Sequence, residues 1–380
     1  ESTVNVATFN SLGIYVLRRF ASIEDGVLTE KQQKKIAEQI FKETFKEKGV
    51  ELRPLRGYDP YEDFFKGMSK VKAGLSSPLE QEIEIKVKED ESVKTPFSPI
   101  FDRVEEQSLK TNQVSFEGQI YYAVKHLLSN YKNRNILQDT FSHLIVDEYQ
   151  DLNPAQVALL RILVAKQKEV FAVGDDDQLI YSWRHVDPNN ILGFEKFFPS
   201  MGDYPLSINY RCAKKILKTT SQLIQYNNPH RLEKKIEPYH KNPDGSTNLY
   251  IGDELFKQME WVIEHIKESK EKKSASYSSF AILTRYNATQ FIIAYALDKA
   301  GIPRTKLKHT DSLYNMKVVE VLISYVKVIT NPKTSEPEDW IKIINQYQNY
   351  MYNSKLLEEK FIKKSNNNFT LLKDNLFFRN

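Results

Sequence analysis

Apolar positions recur at helical spacing through the first third of the chain. From Thr29 to Lys48 the stretch TEKQQKKIAEQIFKETFKEK sets Ile36, Ile40, Phe41 and Phe45 on one stripe among lysines and glutamates, which predicts an amphipathic helix. Upstream, Thr3 to Thr8 alternates β-formers and then meets Ser11, after which Leu12, Tyr15, Val16 and Arg19 follow helical spacing. A strand, a turn and a helix are expected there. Further helical segments run to Tyr131, broken at Gly57–Pro60 and Gly74–Pro78, so this region is expected to be all-helical.

Strand patterns return at His143–Val146 and Glu169–Val173, with a helix expected over Pro154–Ala165 between them. A strand, a helix and a strand in that order form a βαβ unit and imply a parallel sheet. A third strand over Tyr204–Leu206 and a helix over Ala213–Tyr226 follow, and Asn227–Ser246 reads as loop. Alternation then resumes, with strands expected at Asn248–Ile251, Phe280–Leu283 and Arg304–Lys306 and helices at Leu255–Lys270, Ala288–Ala300 and Lys317–Ile329. Two α/β layers with a helical interruption in the first are the expected architecture.

Length supports that division, since 380 residues exceed the roughly 250–300 at which a single core stops growing. Hydrophobic residues at 41% and charged residues at 27% exclude a disordered or fibrous chain. The net charge of +4 is too small to argue by itself for nucleic acid. A single cysteine, Cys212, excludes an intramolecular disulfide and fits a reducing compartment. No stretch has the length of a membrane span and the opening ESTVNVATFN is unlike a signal peptide, so a soluble, cytoplasmic protein is expected.

Charge matters most at FSHLIVDEYQDLNPAQ, where an apolar run ends on Asp147, Glu148 and Asp151. Unpaired buried carboxylates are costly. The carboxyl edge of a parallel sheet removes that cost, because ligands bind there and acids stay solvated or hold a metal. One carboxylate can bind Mg²⁺ and its neighbour can orient a water for phosphoryl transfer. A strand end followed by a helix cap at Asp151 or Asn153 would read the same way.

The surroundings decide between these. Gly174-Asp175-Asp176-Asp177-Gln178 follows the next strand, then Ile180-Tyr181-Ser182-Trp183-Arg184, and later Asn209-Tyr210-Arg211. VDEYQDLNPAQ, VGDDDQLIYSWR and LSINYR resemble motifs II, III and IV of superfamily 1 DNA helicases of the UvrD/Rep type. Val4 to Arg19 resembles motif Ia, Ser69-Lys70-Val71-Lys72 resembles a signature of the helical subdomain 1B, and Ala281–Gln290 with Gly301-Ile302-Pro303 is similar to the second motor domain.

The resemblance implies RecA-like, P-loop NTPase-type parallel-sheet motor domains with a helical insert. Domain 1A would cover residues 1–22 and 136–207, helical subdomain 1B residues 23–135, domain 2A residues 208–333, and the start of a 2B insert residues 334–380. It implies an ATP-dependent, Mg²⁺-requiring translocase or helicase, moving 3′ to 5′ on single-stranded DNA and at single-strand/double-strand junctions. Asp147 would hold Mg²⁺, Glu148 would activate water and Gln178 would sense the γ-phosphate. Arg211 would serve as an arginine finger and Tyr210 would stack on adenine. Phe9, Tyr181 and Trp183 would stack on bases, with Arg184, Arg285 and Asn287 near the DNA backbone.

Several positions depart from the family's pattern. Asn10 stands where histidine is common, His185-Val186 replaces a Gly-Ala pair, Ser115-Phe116-Glu117-Gly118 replaces a more acidic run, and Cys212 follows Arg211 in place of serine. No Gly-Lys pair occurs, so the phosphate-cradling G-x-x-x-x-G-K-[ST] loop is missing, as are motifs V and VI. These gaps make the chain read as an internal fragment with little ATPase activity of its own. A scaffold that binds nucleic acid without a motor, and a metal-dependent nuclease built on Asp147, Glu148 and Asp151, are the alternatives.

Overall fold

Thr8 starts the first helix: its side chain accepts the N–H of Ser11 at 3.1 Å and caps α1, Phe9–Phe20. The computed structural model describes residues 4–23, 26–50, 61–79, 81–88, 91–164, 169–199, 202–273, 275–305 and 317–330. The chain divides after Thr247 into two units. The strand expected over Thr3–Thr8 is not formed among the described residues Val4–Thr8, and the helix begins before Ser11. Val4 and Val6 are exposed there, so the alternation has no core to face.

Helix α2, Glu30–Glu47, carries a capping box in which Thr29 and Gln32 satisfy each other's backbone N–H groups. Its stripe of Ile40, Phe41 and Phe45 is buried, packing with α3, Glu62–Gly74, in the first core of the unit. The expected all-helical character fails between α3 and α4. Strands β1, Glu82–Lys88, and β2, Glu91–Pro96, form an antiparallel hairpin that leads directly into α4, Phe97–Leu109. The run EIEIKVK alternates with period two, and Ile83 and Ile85 point into the core while Glu82, Glu84 and Lys86 are exposed.

The second core joins α1 to α5, Gly118–Ser129, α6, Tyr131–Thr140, and α7, Pro154–Val164. Gly13 is required where α1 meets α5, because a Cβ there would lie 2.6 Å from the Gln119 carbonyl oxygen. Strands β3, His143–Val146, and β4, Glu169–Ala172, pair in parallel with His143 opposite Glu169, connected by α7. This is the expected βαβ unit. One face of the pair is open, with Ile145 79% and Phe171 60% exposed, although parallel sheets are ordinarily covered on both faces.

Two short helices, α8, Asn189–Leu192, and α9, Phe194–Phe197, follow. The strand expected at Tyr204–Leu206 falls instead on β5, Ile208–Asn209, beyond two exposed residues, Tyr204 and Leu206, that meet no core. After α10, Lys214–Ile224, the chain returns as β6, Glu237–Pro238, parallel to β5 and inside the stretch expected to be loop. Among its described residues the first unit is therefore α/β, with two small parallel sheets beside the antiparallel hairpin.

In the second unit α11, Leu255–Lys273, and α12, Asn287–Lys299, pack through Met259, Ile266, Ile293 and Leu297. Gly301, at φ +67°, ends α12: its N–H bonds the Asp298 carbonyl at 3.1 Å and the Ile302 N–H bonds that of Leu297 at 2.9 Å. Helix α13, Lys317–Thr330, is formed as expected. The expected strands Asn248–Ile251 and Phe280–Leu283 are not formed among the described residues, nor is one at Arg304 and Thr305. Such short apolar runs specify a face but no partner, and a strand needs a partner to persist. Lys306 and the segment from Asn331 onward lie outside the described residues.

Candidate functional site

The two strand ends of the β3–β4 pair are joined by backbone bonds. Val173 N–H donates to the Val146 carbonyl and Tyr149 N–H to the Val173 carbonyl, both at 2.9 Å. The turn between Val146 and Tyr149 places Asp147 and Glu148 in solvent at the carboxyl edge of the sheet. Glu148 adopts φ 52°, ψ 45°, a left-handed conformation that costs a side-chain-bearing residue about 1–2 kcal/mol. Its N–H donates to Asp147 Oδ1 at 3.0 Å, which partly offsets that strain. Tyr149 next to it is fully buried against Phe194 and Phe198 and anchors the turn.

Gln150 is the hub. Its side chain is buried, and its amide donates to Glu148 Oε2 at 2.6 Å while its carbonyl oxygen accepts the Asp175 N–H at 2.9 Å. Asp175 Oδ2 in turn accepts from Gln178 Nε2 at 2.9 Å. Three hydrogen bonds thus connect Glu148, beyond the end of β3, to Gln178, beyond the end of β4, through Gln150 and Asp175. Gln150 lies inside FSHLIVDEYQDLNPAQ without a role assigned to it from sequence; its signal there is a neutral amide between acids, able to donate to one strand end and accept from the other.

Beyond Gln178 the chain exposes an aromatic and cationic cluster. Trp183 is 68% exposed and meets the Tyr181 ring edge-on at 6.2 Å, and the Arg184 guanidinium lies 4.7 Å from both rings. His185 follows at φ 60°, a conformation that glycine adopts freely, and Val186 is buried. Asp151 is half-buried with no hydrogen-bond partner for Oδ1 among the described residues, and its carboxyl is raised by burial and by the Glu148 charge, against the pull of Arg184.

Tyr210 and Arg211 stand on a turn after β5. Asn209 Oδ1 accepts the N–H groups of Arg211 and Cys212, and Asn242 donates to the carbonyls of Asn209 and Cys212. The exposed Tyr210 ring packs on Tyr239 at 4.8 Å. Among the described residues no bond joins the Arg211 side chain to Asp147, Glu148 or Gln178. Phe9 is half-buried and packs against the helical core and the core beneath β3. Arg285 belongs to the second unit, where it is exposed with its guanidinium 5.9 Å from the Tyr286 ring; Asn287 begins α12, and its side chain lies outside the described residues.

Asp147, Glu148 and Asp151 do not form a three-carboxylate cluster. Among the described residues, the acids whose oxygens lie within 4.8 Å of one another are Asp175, Asp176 and Asp177, and these are held by cations. Lys234 contacts all three, at 3.1 Å in the case of Asp177, and Arg231 makes a two-pronged pair with Asp177 at 2.8 and 2.6 Å. Burial alone would raise Asp175 and Asp177; hydrogen bonds from Lys234, Gln178 and Arg231 outweigh it and hold both below their ordinary value of 3.8. Lys234, which burial alone would lower, is held above 10.5 by the same carboxylates.

A carboxyl lowered on folding contributes stability above its unfolded value, lost as pH falls through the folded one; a raised lysine contributes stability below its unfolded value, lost as pH rises through the folded one. The clamp is therefore expected to hold fully between about pH 4 and about pH 10. A thermal-unfolding series should show a steeper decline below about pH 4 for the native chain than for Asp177→Asn, and parallel acid limbs would refute it.

A family model described as the UvrD/REP helicase N-terminal domain matches residues 1–199, and one described as the UvrD-like helicase C-terminal domain matches residues 204–376. The chain belongs to the UvrD/REP helicase family. This UvrD/REP family chain is 29% identical over 345 residues to the ATP-dependent DNA helicase Rep of Buchnera aphidicola, covering 90% of the chain and 51% of that relative. It is 35% identical over 195 residues to the ATP-dependent DNA helicase PcrA of Leuconostoc citreum, covering 51% and 26%. With the PcrA of Staphylococcus aureus it shares 29% identity over 338 residues, 86% of the chain and 43% of the relative. The chain spans about half the length of the curated relatives it matches. No described helix is long and apolar enough to cross a membrane.

Proposed function

We propose that this chain carries part of an ATP-dependent motor that moves along single-stranded DNA and works at single-strand/double-strand junctions in the cytoplasm, in the 3′ to 5′ direction. One observation carries the reading. The hydrogen-bonded path Glu148–Gln150–Asp175–Gln178 ends three residues before an exposed aromatic and guanidinium cluster, so a phosphate-facing edge and a base-stacking surface share one loop. In this reading residues 1–22, 136–207 and 208–333 belong to RecA-like motor domains, residues 23–135 to an insert, and residues 334–380 to a second insert.

Asp147 fits a Mg²⁺ ligand: its carboxylate is exposed, and among the described residues only Oδ1 is occupied, by a backbone N–H. Mg²⁺ keeps most of its waters and needs only one or two carboxylates. When bound, it would supply charge neutralisation on the phosphates. Glu148, held through Gln150, would orient the attacking water, and the free groups of the Gln178 amide would meet the γ-phosphate. Arg211 would stabilise transition-state charge, and Tyr210, backed by Tyr239, would stack on adenine. Tyr181 and Trp183 would stack on bases, Arg184, Arg285 and Asn287 would lie near the DNA backbone, and Phe9 would contribute only through its outward edge.

The test is Trp183→Ala in the full-length protein. Loss of one stacked base should weaken single-strand binding by about 5- to 150-fold, the equivalent of about 1–3 kcal/mol, while ATP affinity stays within about twofold. Fluorescence anisotropy of a labelled oligonucleotide measures the first and nucleotide titration the second. Unchanged oligonucleotide binding would remove Trp183 from the DNA surface.

A further inference from the structure

Three consecutive aspartates beside a site for a triphosphate present an electrostatic difficulty. Asp175, Asp176 and Asp177 would repel an incoming anion, and Asp175 is the residue that holds the Gln178 amide. The solution comes from the segment between α10 and β6. Lys234 reaches all three carboxylates, Arg231 forks onto Asp177, and the Leu232 N–H donates to Asp176 Oδ2 at 2.8 Å. Arg231, Asp176 and Asp177 are largely buried, so the pairing is screened little by solvent.

The same segment runs three residues further into β6, which pairs with β5 and so supports the Tyr210–Arg211 turn. Lys234 therefore touches the Gln178 loop on one side and leads into the strand beneath Arg211 on the other.

We infer that Lys234 and Arg231 are positioning residues of the nucleotide site: together they offset two of the three charges of the acidic loop so that a triphosphate can approach, and Lys234, through Asp175, fixes the direction of the Gln178 amide. This rests on the function proposed above.

Steady-state ATP hydrolysis with saturating single-stranded DNA, in the full-length protein, tests it. Lys234→Met should raise KM for ATP about tenfold and lower kcat about tenfold, given that a misplacement of about 1 Å can cost up to about 10²-fold. Lys234→Arg should restore most of both. Adding Asp176→Asn to Lys234→Met removes one uncompensated charge without touching the Asp175–Gln178 bond, so KM should recover while kcat remains low. A lower unfolding temperature with kcat and KM unchanged at an assay temperature below the transition would overturn the inference and leave the clamp merely structural. A wild-type protein without DNA-stimulated hydrolysis would overturn the proposed function, and this inference with it.

Discussion

Glu148→Gln in the full-length protein should bind ATP with affinity within about twofold of wild type and hydrolyse it about 10²- to 10⁴-fold more slowly, the usual contribution of a positioned acid-base group. The substitution is nearly isosteric and keeps the local structure. The oxygen of the introduced amide can still accept from Gln150 Nε2, as Glu148 Oε2 does at 2.6 Å, and the left-handed backbone is unaffected by a change beyond Cβ. What disappears is the negative charge that, in the proposed function, would polarise a water. Single-turnover hydrolysis beside equilibrium nucleotide binding separates the two effects, because removing a group that acts only in the transition state lowers kcat and leaves the ground-state complex intact. Hydrolysis within twofold of wild type would show that the water is activated by another group, and Asp151, raised by burial and by the Glu148 charge, would be the first to examine.

The elements legible in the sequence are those whose signal is local. Strand β3, helix α7 and strand β4 are found within a residue or so of expectation, because an apolar run ending on acids, a proline at a helix start and a second apolar run each declare themselves. The α2 stripe and the Thr29 cap are equally local. The hairpin was obscured by its charged residues: Glu82, Glu84, Lys86 and Lys88 suggest an exposed helix until the spacing of Ile83 and Ile85 is read with period two. Strands whose partners are distant are not legible locally, since Ile208–Asn209 is fixed by Glu237–Pro238, which no pattern near either run announces. The candidate site divides in the same way. Asp147, Glu148, Gln178 and Trp183 sit in recognisable stretches, whereas Gln150, Arg231, Lys234 and Asn242 matter through contacts made only after folding.

The second large effect is expected far from that edge. Lys72 and Glu105 have side chains 2% and 7% exposed, with Lys72 Nζ 2.7 Å from Glu105 Oε1. Lys72 also donates to Ser115 Oγ at 2.8 Å, Ser115 Oγ accepts the Gly118 N–H at 3.1 Å, and Tyr122 donates to Glu105 Oε2. Burial, then the Glu105 charge, pushes the Tyr122 hydroxyl strongly upward, so it stays protonated and keeps donating. This network joins α3 and α4 to the start of α5, the helix that packs on α1 through Gly13. Glu105→Ala strands the Lys72 ammonium in the interior and should cost about 3–5 kcal/mol, a loss of roughly 6–20 °C in unfolding temperature for a unit of this size. Lys72→Met with Glu105→Leu removes both charges together and should recover most of that loss, because a buried pair repays little more than its own desolvation. Calorimetry or circular dichroism on the three proteins measures the difference. If Glu105→Ala costs less than about 1 kcal/mol, water reaches Lys72 and the network is not what fixes these helices.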